Sequence, residues 1–518
     1  MRRVVIIGGG ISGLAAANRL IERHSETGEA IQLTLLEADP RVGGVIRSEP
    51  RDGFLLEGGP DSFISEKPQA LALAKRLGLE SQLIETNSEY RRSFIVRGGS
   101  LRPVPEGFHL LAPSLIWPFL TSDILSPLGK ARMALDLFLP RNSSNGDESL
   151  ANFVRRRLGR EALERVAQPM IGGIYTADPE LLSLRATMPR FLEMEQQHRS
   201  LIRAMWKNRP GRSPTVREGS SKSLGAREGS GTSGARYSLF LSFEQGMQTI
   251  VDRLTERISN FKSQISDFRS QISDSTAAVG PTIQLNTKVE ALAFAEDAAP
   301  ERSQQGVTFQ EGSEKRWRIR TSAGKTIVAD AVCLALPAFA AARLLRNVDP
   351  QLATQLEAIP YASTATVNLA YKRGDVSHPL NGFGFVVPFI ERRTVMACTF
   401  SSVKFSGRAP EGYALLRAFV GGALQPEMFE LEEEEMVRQV RADLRELLGI
   451  EKPPLFTQIA KWPNSMPQYH VGHIERMKRI EQLVSTLPGL ALVGNAYTGP
   501  GIPDCIRSGE SAADLIGI

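Results

Sequence analysis

Cysteine is scarce in this chain: three in 518 residues, at Cys333, Cys398 and Cys505. Their spacing matches neither a metal-ligand set nor a disulfide framework, and it suits a reducing compartment. Histidine is almost as rare, at six, and only His470 and His473 lie close together. With no further ligands nearby they read as a loop pair, and no metal site is expected. Charge is nearly balanced, with 62 basic and 57 acidic residues and a net charge of +5. That excludes a nucleic-acid footprint and leaves a mild bias towards anionic substrates or lipid surfaces. No apolar run reaches the roughly 18–20 residues that a spanning helix needs. The chain also enters its first strand directly, leaving no leader to cleave. The stretch Phe108–Thr121 is shorter and contains Pro113 and Pro118. Its Leu110, Leu111, Leu115, Ile116, Trp117, Phe119 and Leu120 would suit a membrane surface, a partner chain or a buried helix pair equally.

What is present is a nucleotide-binding start. The apolar run Val4-Val5-Ile6-Ile7 leads into Gly8-Gly9-Gly10-Ile11-Ser12-Gly13, and an amphipathic stretch follows from Leu14. A strand breaking into a glycine loop and then a helix cradles a pyrophosphate. Gly8 allows the turn, Gly10 lets the backbone approach the phosphates, and Gly13 lets the helix pack against the strand. A second apolar run, Ile31–Leu36, ends in Glu37, placed to accept from ribose hydroxyls. An acid there favours FAD or NAD over a 2′-phosphorylated cofactor.

Further along, helices are expected at Ala70–Leu79, Leu128–Leu139, Leu150–Leu158, Glu161–Gln168 and Phe191–Trp206. Residues 209–236 contain 12 Gly or Ser in 28 and read as a flexible insertion. A second insertion, 259–280, carries a tandem duplication, Phe261–Asp267 and then Phe268–Asp274. Two copies do not make a repeat fold, so it reads as a slip in a loop. Residues 287–292 and 329–337 look like strands. Glu430–Leu448 reads as a helix whose Glu434 pairs with Arg438, so its acid run is a solvated face. Near the C-terminus Leu490–Ala496 is another buried strand. The loop Gly499-Pro500-Gly501-Ile502-Pro503 follows, and then a helix from about Asp504. The nucleotide domain is therefore expected to draw on both ends of the chain.

Glu37-Ala38-Asp39-Pro40-Arg41-Val42-Gly43-Gly44 resembles the E-x(4)-R-x-G-G signature of flavoprotein amine-oxidase-like enzymes. Glu57-Gly58-Gly59-Pro60-Asp61-Ser62, Gly172–Pro179, Gly382-Phe383-Gly384, Met466-Pro467-Gln468-Tyr469 and Gly501–Ile506 are similar to the oxygen-dependent protoporphyrinogen/coproporphyrinogen III oxidases of haem biosynthesis. They run in that family's order across nearly the whole chain. The resemblance implies an α/β fold: a discontinuous Rossmann-like FAD-binding domain (1–65, 240–300 and 462–518), a mixed-sheet substrate domain (66–104 and 301–461), and a helical, membrane-contacting domain (105–208).

It also implies that FAD contacts Gly8, Gly9, Gly10, Ile11, Ser12, Gly13, Glu37, Ala38, Arg41, Gly43, Gly44, Val45, Gly59, Pro60, Asp61, Ser62, Val289, Trp462, Gly494, Pro500, Gly501 and Ile502. The substrate pocket would be lined by Met170, Gly173, Phe383, Val386 and Phe419. Arg92 would meet a substrate propionate, with Arg91 and Arg97 as further candidates and Ser93 as the residue that could stand in the position itself. The implied reaction is a six-electron oxidation of a porphyrinogen in three rounds. Each passes hydride from a methylene bridge to flavin N5 with loss of a pyrrole N–H proton, and molecular oxygen reoxidises the flavin to give hydrogen peroxide. No Ser/His/Asp or Cys/His set is evident and no general base is named, which suits chemistry carried by the cofactor. An amine oxidase, a carotenoid desaturase and a flavin-binding protein without turnover are the alternatives. A homodimer and a peripheral place on the inner face of the cell membrane, from the cytoplasm, fit the same reading.

Overall fold

The computed structural model describes residues 1–105, 108–109, 112–113, 115–142, 146–207, 240–269, 282–296 and 315–516. Five strands pair in parallel in the order Thr282–Gln284, Ile31–Leu36, Arg2–Ile7, Ala331–Leu334, Leu490–Leu492. The first strand is apolar on both faces because both are covered. Val4 and Ile6 point into a core shared with helices Ile11–Thr27, Gln248–Arg269 and Ile502–Ile516. Val5 and Ile7 point into a second core, formed with the antiparallel strands Val289–Glu296, Lys315–Thr321 and Thr326–Ala329 and helices Ala338–Leu345 and Pro350–Glu357. Both chain ends thus build one sheet, as expected. The sheet also continues past the boundary expected at residue 300. Ala331–Leu334 lies between the first and last of these strands, and the fully buried Trp317 packs behind it. Residues 315–359 therefore pack with the nucleotide sheet rather than with the substrate part.

A second, seven-stranded sheet is mixed. Its order is Phe456–Pro467, Tyr361–Lys372, Tyr413–Gly421, Val395–Phe400, Gly384–Val386, Phe94–Arg97, Ser100–Pro103, with one parallel pair. Strand alternation gives it two unlike faces. Ala365, Val367, Leu369, Leu416, Ala418, Val420 and Phe400 pack against Met436, Val440 and Leu444 of helix Glu433–Leu448. Thr364, Thr366, Asn368, Arg417 and Phe419 occupy the other face, which meets the backbone of Glu57–Gly59.

The segment 115–207 is helical around its own core, including Phe153, Val166, Ile171 and Leu201. The helix expected over Phe191–Trp206 is two, Pro189–His198 and Leu201–Lys207. Arg199 takes φ 61° between them. Its carbonyl accepts from Arg157 Nη2 at 2.6 Å, and Ser200 Oγ accepts from the amide of Arg203, capping the next helix. A buried cation and a cap thus outweigh a continuous helical pattern. The stretch Leu128–Leu139 ends as a helix at Ala134 and continues as a tight turn through Leu137.

Helix Gln248–Arg269 runs through Phe261–Asp267, so the first copy of the duplication is helical rather than loop. The second copy lies mostly outside the described residues, as does the whole of 209–236. Glu435, rather than Glu434, pairs with Arg438, one turn back at i,i+3. Among the described residues no helix is long and apolar enough to cross a membrane.

Candidate active site

The glycine loop has the geometry that its spacing predicts. Gly8 sits at φ 107°, and a Cβ there would lie 2.3 Å from the Ala335 carbonyl oxygen. A Cβ on Gly13 would meet the Gly8 carbonyl at 2.0 Å, whereas one on Gly10 would meet nothing within 4 Å. Gly10 therefore borders open space at the start of helix Ile11–Thr27. No side chain caps that helix start, so its first amides remain available to an anion. Gly9 donates its amide to Glu37 Oε2 at 2.6 Å, and Asp39 donates to Oε1 at 2.9 Å. The carboxylate is thereby fixed at the end of Ile31–Leu36, half-buried and with acceptor capacity left. Ala38 beside it is exposed.

The double-glycine turn closes on this loop. Gly43 donates to the Gly9 carbonyl at 2.8 Å, and Gly44 approaches Gly10 Cα. The Arg41 guanidinium donates to the carbonyls of Val42, Ile46 and Gly44, so it shapes the turn from within. Residues 284–289 run alongside Glu37: Glu37 donates to the Gln284 carbonyl, and Thr287 donates to the Glu37 carbonyl. That places Val289 close to the Glu37 end of the cradle.

The segment Glu57–Ser62 lies across the other end. A Cβ on Gly59 would lie 1.8 Å from the Val45 carbonyl oxygen, so only glycine lets these two backbones touch. Trp462 Nε1 and Thr366 Oγ1 both donate to the Gly58 carbonyl at 2.8 Å. Arg417 Nη1 donates to the Gly59 carbonyl at 2.8 Å, and Asn368 Nδ2 to that of Glu57 at 3.2 Å. Three strands of the large sheet thus draw three consecutive carbonyls away from the cradle. Pro60 leads into Asp61, whose carboxylate accepts from Lys404 Nζ at 2.9 and 3.0 Å and pairs with Arg417 at 3.4 Å. These cations hold it well below the usual carboxylate range despite its burial. Ser62 Oγ also donates to it at 2.7 Å.

The C-terminal loop closes the ring. Gly494 sits at φ 135° and Gly499 at φ 144°. A Cβ on Gly499 would meet Asp504, which Lys67, just beyond the Glu57–Ser62 segment, binds at 2.5 Å. The helix begins at Ile502, two residues earlier than expected, so Pro500, Gly501 and Ile502 form its entry. Gly509 packs on the Ser12 carbonyl and so joins the two chain ends. Glycine loops, uncapped amides and a fixed acid at one end make up a cradle that fits an extended dinucleotide.

The expected pocket residues divide in two. One row of cross-strand neighbours runs Val386, Ala397, Phe419, Thr366, Ala460. It starts beside Gly173, where a Cβ would meet Val386 at 3.7 Å, and reaches the Gly58 carbonyl through Thr366. Gly173 is exposed, and Met170 of the same helix packs beside Val386 on the helical core. Phe383 is buried behind this row, and its amide donates to the Arg92 carbonyl. The Arg92 side chain is exposed, while Arg97 lies 4.0 Å from Glu161. The structure thus joins Arg92 to Phe383 through backbone.

Lys404, Arg417, Thr366 and Asn368 escaped the sequence reading. For Thr366 and Asn368 the signal was the alternation Thr364-x-Thr366-x-Asn368 around Ala365, Val367 and Leu369; Lys404 and Arg417 lie on other elements and show no such pattern. All three thiols are buried, and burial pushes Cys333 and Cys505 up to about 12. No thiolate is available there at neutral pH. His473 stacks on Tyr469 at 4.1 Å, begins the helix His473–Val484, and is pushed down to about 4 by burial.

A parallel sheet with a glycine cradle at its strand ends, joined to a second, mixed sheet, defines a dinucleotide-binding protein. The chain matches the flavin containing amine oxidoreductase family over residues 11–517, and it belongs to that family. It is 35% identical to coproporphyrinogen III oxidase of Bacillus subtilis (strain 168), over 99% of this chain and 97% of the relative. It is 32% identical to the enzyme of the same name from Staphylococcus aureus (strain NCTC 8325 / PS 47), over 99% of each. A solved structure from Exiguobacterium sp. 255-15, provisionally named a protoporphyrinogen oxidase, superposes with a TM-score of 0.79 at 30% identity. It covers 100% of this chain and 98% of the other. The cofactor is FAD.

Proposed function

We propose that this chain oxidises a porphyrinogen to a porphyrin, coproporphyrinogen III to coproporphyrin III or protoporphyrinogen IX to protoporphyrin IX, with oxygen as acceptor and hydrogen peroxide as by-product. What supports this is the row of cross-strand neighbours Val386, Ala397, Phe419 and Thr366, which starts beside exposed Gly173 and ends at the Gly58 carbonyl. FAD supplies the hydride acceptor when bound. The protein supplies position and an apolar environment. Gly8–Gly13, Glu37, Gly43–Val45 and Gly59–Ser62 hold the dinucleotide, with Arg41 acting by shaping its turn. Val386, Phe419 and Met170 form walls for a flat ring system, and Gly173 leaves room beside them. Arg92, exposed at the rim, meets a propionate. Support for the substrate class comes from the names of the relatives, which span both porphyrinogens.

Exposed Leu115, Trp117, Leu120, Leu128, Leu135 and Phe138 lie on the short helices from 116 to 137 and at their ends. They support peripheral contact with the inner face of the cell membrane from the cytoplasm. A second copy of the chain is the alternative cover. Liposome co-sedimentation of wild type and Trp117→Glu separates the two.

Side-by-side turnover of coproporphyrinogen III, protoporphyrinogen IX and a polyamine, followed by porphyrin fluorescence and peroxide, tests the function. One or both porphyrinogens should be consumed. Turnover of the polyamine alone would make the chain an amine oxidase. Yellow protein without peroxide from any of them would make it a flavin-binding protein without turnover.

A further inference from the structure

The side chains packed around the Glu57–Ser62 segment carry more positive than negative charge, largely out of contact with water. Lys404, Arg417 and Arg408 are all nearly buried, with side-chain exposures of 12% and 5% for Lys404 and Arg417 and 2% overall for Arg408. Arg408 donates to the carbonyls of Glu244 and Phe243 and to Ser242 Oγ, all neutral. Arg417 lies over the Phe419 ring at 4.8 Å. Two acids face these three cations. Asp61 is ionised between Lys404 and Arg417. Glu57 accepts from Ser48 and from the Met247 amide and is pushed up to about 7 by burial. With Asp61 ionised and burial making Glu57 hold its proton more tightly, the group keeps an excess of positive charge, in a medium where charges act strongly.

We infer that Lys404 and Arg417 are positioning residues: by gripping Asp61 and the Gly59 carbonyl they set the Gly58–Ser62 segment against the cradle, and their unbalanced charge favours the extra electrons on bound FAD. The inference rests on FAD occupying this cradle. It differs from a purely structural role because the sign of each charge change matters. Lys404→Met removes one positive charge at nearly constant volume, and Asp61→Asn removes one negative charge at nearly constant shape. A structural role would move both variants the same way, towards loss of FAD. An electrostatic role moves the flavin reduction equilibrium in opposite directions.

The test is equilibrium reduction of the purified holoprotein against a reference dye, with the FAD-to-protein absorbance ratio measured alongside. At fixed dye poise, Lys404→Met should lower the reduced-to-oxidised flavin ratio by roughly tenfold. Asp61→Asn should raise it. Arg417→Lys, which keeps the charge but loses the two-pronged grip, should bind FAD more weakly and leave the ratio within about twofold. It also serves as the second variant should Lys404→Met fail to fold, since Arg417→Gln must then lower the ratio where Arg417→Lys does not. Equal ratios in all variants, or shifts of one sign in both Lys404→Met and Asp61→Asn, overturn the inference. Wild-type protein that takes up no FAD would instead overturn the cofactor reading beneath it.

Discussion

Gly13 stands so close to Gly8 that a Cβ on it would lie 2.0 Å from the Gly8 carbonyl oxygen. The first helix therefore leaves the first strand with no space between them, and its free amides sit where the chain turns. Gly10 differs, since a Cβ there meets nothing within 4 Å. The two glycines should fail differently. Gly13→Ala forces backbone apart and should cost about 1–3 kcal/mol of stability even without cofactor. Gly10→Val should leave the apoprotein's Tm nearly unchanged while abolishing FAD uptake. Thermal unfolding of both apoproteins, with absorbance at the flavin band after reconstitution, checks the pair.

Gly173 is exposed and faces Val386 across 3.7 Å from its ideal Cβ. Gly173→Leu should fill the mouth of the pocket without touching the cradle. FAD content and Tm should match wild type, while kcat/KM for porphyrinogen falls by about a hundredfold, the loss expected when reactants are displaced by about an ångström. Steady-state kinetics on flavin-replete protein measures it.

Asp136 and Arg157 form an ion pair with both side chains fully buried. Arg157 also donates to the carbonyls of Pro140, Asp136 and Arg199, and Asp136 Oδ2 accepts from Ser200 and the Ile202 amide. The pair ties the turn Leu135–Leu137 to the helices Leu150–Arg157 and Leu201–Lys207. Asp136→Ala leaves the buried Arg157 with Glu195, at 3.5 Å, as its remaining acid and should cost about 3 kcal/mol. Chemical denaturation should show a lower midpoint for this segment's unfolding.

Glu57 is an acid whose folded pKa, about 7, lies above its ordinary 4.5 because burial disfavours the charge. The folded state thus binds the proton more tightly than the unfolded state. Its contribution to stability is complete below about pH 4.5 and is lost as pH rises to about 7. The loss is on the order of 3 kcal/mol. Glu57→Gln should flatten the stability curve across that window. A variant as pH-dependent as wild type between pH 5 and 7 would contradict this assignment.

Much of the cradle was legible because glycine spacing and the acid after the second strand report backbone constraints that act locally. Gly8 and Gly13 make the close backbone approaches their spacing implies, and Glu37 ends the second strand beside the glycine loop. The second sheet was less legible because its meaning comes from partners hundreds of residues away. Arg417 reads as an ordinary strand residue until it is seen against Gly59, and Lys404 until it is seen against Asp61. The break at Arg199 was hidden for the same reason, since the buried Arg157 that holds its carbonyl is distant in sequence. Arg41 was found by motif, but its hydrogen bonds turn inward to its own loop, a detail that spacing does not carry.

The central claim is that the cradle holds FAD where a porphyrinogen in the pocket can reduce it. Anaerobic rapid mixing of the yellow protein with coproporphyrinogen III, and separately with protoporphyrinogen IX, tests this most directly. The flavin absorbance should bleach with at least one of them and return when oxygen is admitted, with release of hydrogen peroxide. Flavin that stays oxidised while either porphyrinogen is demonstrably bound would contradict it.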